Sequence, residues 1–189
     1  MRHVISALVI NEPGVLAGVA GMFSARGFNI DSLVVGRTED PNKSRMTIVV
    51  TADDVTLDQV RKQLAKLVAT LDVRDFEGSA YIERDLALVT VNVNAEKRRE
   101  VVEIVELFRG KVVDVAPASI MVELAGTEDK IEAFIDLMKP YGIEQLARTG
   151  VIAMPRGTQV AKDKSAGDTG TKRRVRSLDA PAAAALPPS

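Results

Sequence analysis

The chain has 189 residues, 46% of them hydrophobic, with a formal net charge of −1, which suits one large or two small globular domains. It has no cysteine and one histidine, so disulfides, thiolate nucleophiles and Cys-ligated zinc are excluded, and His3, at the very start of a strand, reads as a surface residue. From residue 157 onward six basic and three acidic residues give +3, leaving −4 for the body, too acidic for a nucleic-acid binder; no apolar run reaches the roughly 18–20 residues of a membrane span, no targeting leader is visible, and a cytoplasmic protein is expected.

Periodicity then gives the same order of elements twice. In the first repeat a strand over 3–11 leads into a helix over about 14–26 with Val15, Val19, Met22 and Phe23 on one stripe. A strand over 28–37, a hairpin loop over 38–43 and an alternating strand over 45–51 follow. A helix over about 56–70 carries Leu57, Val60, Leu64 and Leu67, and a short strand near 73–78 closes the repeat. The second repeat reads as a strand over 82–94, a helix over about 96–109, and strands over 111–116 and 119–125. Thr127 then caps a helix that Pro140 stops, and a last strand runs over 143–155. Both repeats are β-α-β-β-α-β, a ferredoxin-like arrangement of the α+β class. The expected domains are 1–79 and 80–157, with 158–189 an Ala/Lys/Pro-rich tail too poor in large apolar residues to order. Units this small, with helices on one sheet face only, need their other faces or edges covered by each other or by another chain, so at least a dimer is expected.

The turn Asn11-Glu12-Pro13-Gly14-Val15-Leu16 carries the chemistry. Pro13 at or near the first helical position presets the helix, and Gly14 lets a ligand approach the backbone. The N–H groups of Gly14, Val15 and Leu16 then point outward, where the helix dipole favours an anion. Val15 and Leu16 supply an apolar wall. Asn11 and Asn29 end segments expected to converge there, and an amide can accept from an ammonium and donate to a carboxylate. Together these describe a pocket for a small apolar α-amino acid.

In the second repeat Asn92-Val93-Asn94-Ala95 stands in place of this motif, with neither glycine nor proline, so the fold itself does not demand them. Gly14, Gly18 and Gly21 have the wrong spacing for a dinucleotide fingerprint. The small residues Ala17, Gly18, Ala20 and Gly21 are read as close packing of the helix against the sheet or another helix. The cations in Glu96-Lys97-Arg98-Arg99-Glu100 read as a solvated face or, less simply, a docking patch for an acidic partner. No nucleophile, metal-ligand cluster or acid–base pair stands out, so no catalytic and no metal residues are assigned.

The doubled β-α-β-β-α-β, with Asn11-Glu12-Pro13-Gly14-Val15-Leu16, Arg26-Gly27-Phe28-Asn29-Ile30 and the stretch from Arg148 to Gly157, resembles the small regulatory subunits of acetohydroxyacid (acetolactate) synthase. The likeness covers roughly residues 1–157. It implies an ACT domain followed by an ACT-like domain, and a non-catalytic chain that activates a large catalytic subunit and confers feedback inhibition, typically by valine. Thiamine diphosphate, FAD and magnesium are then expected on that partner and no cofactor on this chain. The resemblance also implies a homodimer through the ACT domains with the effector at its interface, held by Asn11, Gly14, Val15 and Leu16 of one chain and Asn29 and Ile30 of the other. The alternatives are a free-standing ACT-type sensor acting on another enzyme or on transcription, an RNA binder, which would need aromatic platforms the strands lack, and a catalytic role.

Overall fold

The structure is a computed structural model that describes residues 1–157, so the reading of 158–189 as a disordered tail lies outside the described residues. The first half consists of β1 (Arg2–Ile10), α1 (Val15–Ser24), β2 (Ser32–Arg37), β3 (Lys43–Thr51), α2 (Asp54–Lys66) and β4 (Thr70–Asp75). The second consists of β5 (Tyr81–Asn92), α3 (Arg98–Leu107), β6 (Lys111–Val115), β7 (Ser119–Gly126), α4 (Glu128–Met138), β8 (Ile143–Arg148) and β9 (Ile152–Pro155). The sheets have strand orders β2-β3-β1-β4 and β6-β7-β5-β8, with β9 also paired to β5. These are two ferredoxin-like units, each with its helices on one face.

Alternation dictates which residues meet the helices. In the first sheet Ile5, Ala7 and Val9 of β1 and Met46, Ile48 and Val50 of β3 pack on Val19, Met22 and Phe23 of α1 and Leu57, Val60 and Leu64 of α2. In the second, Ala87, Val89 and Val91 of β5 and Ile120, Val122 and Leu124 of β7 pack on Val101 and Val105 of α3 and on Ile131, Phe134, Ile135 and Met138 of α4. Burial of each of the larger of these side chains stabilises the fold by about 1.5–3 kcal/mol. α2 begins where Asp53 accepts the Thr56 N–H at 2.7 Å, a side-chain cap that also holds the carboxyl below its usual range.

Several boundaries differ from the sequence reading for identifiable reasons. Residues 28–31 are not strand: the Phe28 N–H returns to Phe23 O at 3.1 Å and closes the end of α1, so β2 starts at Ser32. The last strand is not continuous over 143–155. Gly150, with φ +82, breaks it into β8, which pairs with β5 over Ala87–Val91, and β9, which pairs over Tyr81–Arg84. His3 is buried, not on the surface, and its Nε2 donates to Ala52 O at 3.2 Å. Gly18 and Gly21 are exposed with nothing within 4 Å of a built Cβ, so close packing inside this chain does not explain them. Each cation before and in α3 has a partner: Lys97 Nζ lies 5.7 Å from the centroid of the Tyr141 ring, Arg98 donates to Ala116 O and Pro117 O, and Arg99 pairs with Glu103.

The break at Gly150 has a structural consequence. Residues 149–155 form a strap from the second sheet across the helix-free face of the first, where Val151 and Ala153 join Val4, Val49 and Phe76 in a third apolar cluster. The Val151 N–H donates to Ser32 Oγ at 3.2 Å. The root of the strap is fixed by Arg148, which pairs with the fully buried carboxylate of Asp85 (Nε–Oδ2 2.9 Å) and with Glu132. Burial alone would lower the Arg148 pKa, but Asp85 and Glu132 outweigh it and raise it. Arg2 of the first half adds ion pairs to Glu83 (3.1 Å) and Glu128 (2.6 Å) of the second.

A Cβ at Gly150 would lie 2.6 Å from Ser32 Oγ and 2.8 Å from Val34 Cγ2, in a backbone conformation L-residues rarely adopt. Gly150→Ala should therefore lower stability by about 1–3 kcal/mol, measured by chemical denaturation. An unchanged midpoint would mean that the strap is not seated on β2.

Candidate functional site

The last residues of β1 are tied down on both sides. The Ile10 N–H donates to Ala69 O at 2.9 Å and the Asn11 N–H to Asn42 O at 2.8 Å. The Asn11 side chain serves the loop between β2 and β3: Nδ2 donates to Pro41 O at 2.9 Å, and Oδ1 accepts from Ser44 Oγ at 3.1 Å. The chain then turns through Glu12 and Pro13 into Gly14, the N-cap of α1, at φ +86. Pro13 thus stands one residue before the cap and not inside the helix. The only bond holding the turn is a long one, Val15 N–H to Glu12 O at 3.4 Å, and no side chain caps the helix. The Gly18 N–H donates to Gly14 O, which leaves the N–H groups of Gly14, Leu16 and Ala17 for an outside acceptor.

Beside this helix start lies a cleft of about 360 Å³. Pro13, Gly14, Val15, Gly18 and Val19 form one wall, and Leu67, Val68, Ala69 and Thr70 the other. The second wall comes from the turn between α2 and β4, which sits there because Val9 of β1 pairs with Thr70 of β4. Most of the lining is apolar or small. The Thr70 hydroxyl oxygen, by contrast, is buried without a hydrogen-bond partner.

Of the six residues assigned from sequence, Gly14 and Val15 line the cleft, while Asn11, Leu16, Asn29 and Ile30 do not. The expected convergence of Asn11 and Asn29 does not occur within one chain. β1 and β2 both run antiparallel to β3, so they are parallel to each other and α1 carries the chain back to the opposite end of the sheet. Asn11 follows Ile10, which pairs with Lys43, whereas Asn29 precedes Ser32, which pairs with Val49. Asn29 Nδ2 donates to Asp31 Oδ1 at 2.8 Å, and Ile30 packs against the first core. Leu16 is exposed.

The sequence matches two family descriptions. Residues 5–72 match the "AHAS small subunit-like ACT domain" and residues 84–157 the "Small subunit of acetolactate synthase". A probable acetolactate synthase small subunit from Archaeoglobus fulgidus is 54% identical over 159 residues, covering 84% of this chain and 99% of the relative. The chain belongs to the acetolactate synthase small-subunit family. The Aquifex aeolicus small subunit is 46% identical over 165 residues (87% of this chain, 86% of the relative). The crystal structure of the Thermotoga maritima small subunit superposes with a TM-score of 0.76 at 42% identity, covering 82% of this chain and 98% of that one.

The chain is accordingly a regulatory subunit and not the catalytic one, and family membership assigns the cofactors to the catalytic subunit. Among the described residues no group of three or more His, Asp or Glu side chains could hold a metal ion, and no helix is long and apolar enough to cross a membrane.

The second unit of this small subunit holds the turn before its first helix differently. There Asn94 Oδ1 accepts the Lys97 N–H at 2.9 Å just before α3. In the first unit Pro13, at the place of Asn94 when Asn11 is aligned with Asn92, offers no such acceptor, and neither α1 nor α3 has a side-chain cap bond. Leu67, Val68, Ala69 and Thr70 were missed by motif reading because nothing in their side chains advertises a site; the pairing of β4 with β1 does.

The bonds of Asn11 to Pro41 and Ser44 give it a structural duty as well. Asn11→Ala should speed amide exchange in residues 40–44 while leaving α2 unaffected. Equal exchange in the loop would show that the amide does not hold it.

Proposed function

We propose that this small subunit activates the catalytic subunit of acetolactate synthase and makes it sensitive to feedback by a branched-chain amino acid, valine first, bound at the start of α1. The observation that carries the reading is the uncapped N-terminus of α1 at left-handed Gly14, open beside an apolar cleft. A valine carboxylate there accepts from the free first-turn N–H groups. The dipole contributes about 0.3–1 kcal/mol, and up to ~2 where the site is partly buried. The isopropyl group lies against Val15 and Val19 or Leu67, and the thiamine diphosphate, FAD and magnesium that the reaction uses stay with the partner.

The proposed assembly is a homodimer in which β2, an edge strand, pairs with β2 of a second copy. Val34 and Val35 of this strand are only partly covered. Two-fold pairing of identical strands is antiparallel. It therefore brings the partner's segment before β2, with its Asn29 and Ile30, to the end of the sheet where this chain has Asn11 and Gly14. Because β2 and β4 are opposite edges of the sheet, the partner's amide and apolar side chain reach the start of α1 from the side away from Leu67–Thr70. The effector then acts as a clamp between protomers, and a reoriented dimer meets the catalytic subunit differently. Typical couplings of ~1–3 kcal/mol correspond to roughly 5–150-fold in affinity. The proposed compartment is the cytoplasm, in keeping with a biosynthetic subunit.

Gly14→Asp tests the reading. Nothing lies within 4 Å of a Cβ there, and Asp tolerates the left-handed region better than most residues, so the variant should fold while placing a carboxylate in the anion site. On reconstitution with the catalytic subunit, stimulation should persist and valine sensitivity fall at least about 5-fold. Lost stimulation with retained valine sensitivity would contradict the assignment.

A further inference from the structure

On the helix-free face of the first sheet, Arg45 of β3 lies opposite Leu8 of β1 and Gly36 of β2. Gly36 has no side chain and nothing lies within 4 Å of where a Cβ would be, so the sheet is open beside the guanidinium. A hollow of about 340 Å³ results, with Arg45 and buried Thr47 on the sheet side and Ile152 and Met154 on the strap side. Arg45 is half-buried, and its one bond is from Nη1 to the Oγ of buried Ser6 at 3.0 Å. A guanidinium has five donors, and among the described residues no carboxylate pairs with this one. Arg37 and Glu39 also line the hollow, so its two cations exceed its one carboxylate.

A half-buried cation with free donors, beside exposed apolar side chains, matches one ligand chemistry. We propose that this hollow is a second small-molecule site, which takes a short carboxylic acid with an apolar body. The carboxylate accepts from the guanidinium fork, a bidentate match that a lysine would not give. The apolar body covers Ile152 and Met154, which are otherwise exposed. The site goes beyond the regulatory reading and does not depend on it, since it lies on the sheet face opposite α1. It does touch both halves of the chain, so an occupant braces the strap against the first sheet.

The test is a titration of the full chain, labelled at Ile, Met and Val methyl groups, with 3-methylbutanoate, followed by NMR. The Ile152 and Met154 methyl signals should shift saturably in the millimolar range or below. 3-Methylbutan-1-ol, which lacks the charge, and inorganic phosphate, which lacks the apolar body, should bind at least about tenfold more weakly. Arg45→Met should weaken 3-methylbutanoate by a similar factor. Met154→Glu, at an exposed position, places an internal carboxylate beside Arg45 and should abolish the Ile152 shift even if Arg45→Met fails to fold. Absent or non-saturating shifts, equal affinity for the alcohol or for phosphate, or unchanged binding in folded Arg45→Met or in Met154→Glu would each overturn the proposal. Valine responses at Val15 and Val19 report separately on the α1 site, so the failure of one reading leaves the other standing.

Discussion

A four-stranded sheet with helices on one side leaves its other face to water, and the two halves of this chain meet that constraint differently. In the first sheet Val4 and Val49 face away from the helices and are buried only because Val151 and Ala153 lie across them. That cover depends on the strap leaving the second sheet at Gly150, in a conformation suited to glycine and so close to Ser32 and Val34 that no side chain fits. The buried Asp85–Arg148 pair fixes where the strap begins. In the second sheet none of the described residues gives the helix-free face such a cover: Leu88, Thr90, Met121, Gln145 and Ala147 surround a hollow of about 430 Å³. The two repeats share a topology but not a way of finishing it.

The same contrast holds at the helix starts. α3 follows an asparagine whose side chain satisfies the turn from within. α1 follows a left-handed glycine with no side chain to cap the first-turn N–H groups, which is the basis for the proposed anion site beside the apolar cleft. The crossover from β1 through α1 to β2 keeps Asn29 away from that cleft in a single chain. In the proposed homodimer a site completed across two protomers would tie occupancy to their arrangement.

Much of this was legible in the sequence. Alternation in β1, β3, β5 and β7 and helical stripes such as Val19-Met22-Phe23 and Ile131-Phe134-Ile135-Met138 specify both cores, because burial follows those periods directly. The β-α-β-β-α-β order was legible for the same reason. What was not legible depended on tertiary contacts. The strap looked like the end of one long strand, since Ile143 to Pro155 has no proline before its last residue and Gly150 alone does not announce a left-handed turn. His3 looked exposed because its burial comes from its inward position on β1, at the first turn of the pleat. The far wall of the cleft, from Leu67 to Thr70, follows from β4 pairing with β1 and from no motif.

The most direct test of the account is hydrogen–deuterium exchange of the chain with and without valine. The account predicts slowed exchange in residues 14–19 and 67–70 and, because the proposed second protomer contributes to the site, also in residues 29–37. Slowed exchange confined to the second unit, or none in residues 14–19 at saturating valine, would contradict it.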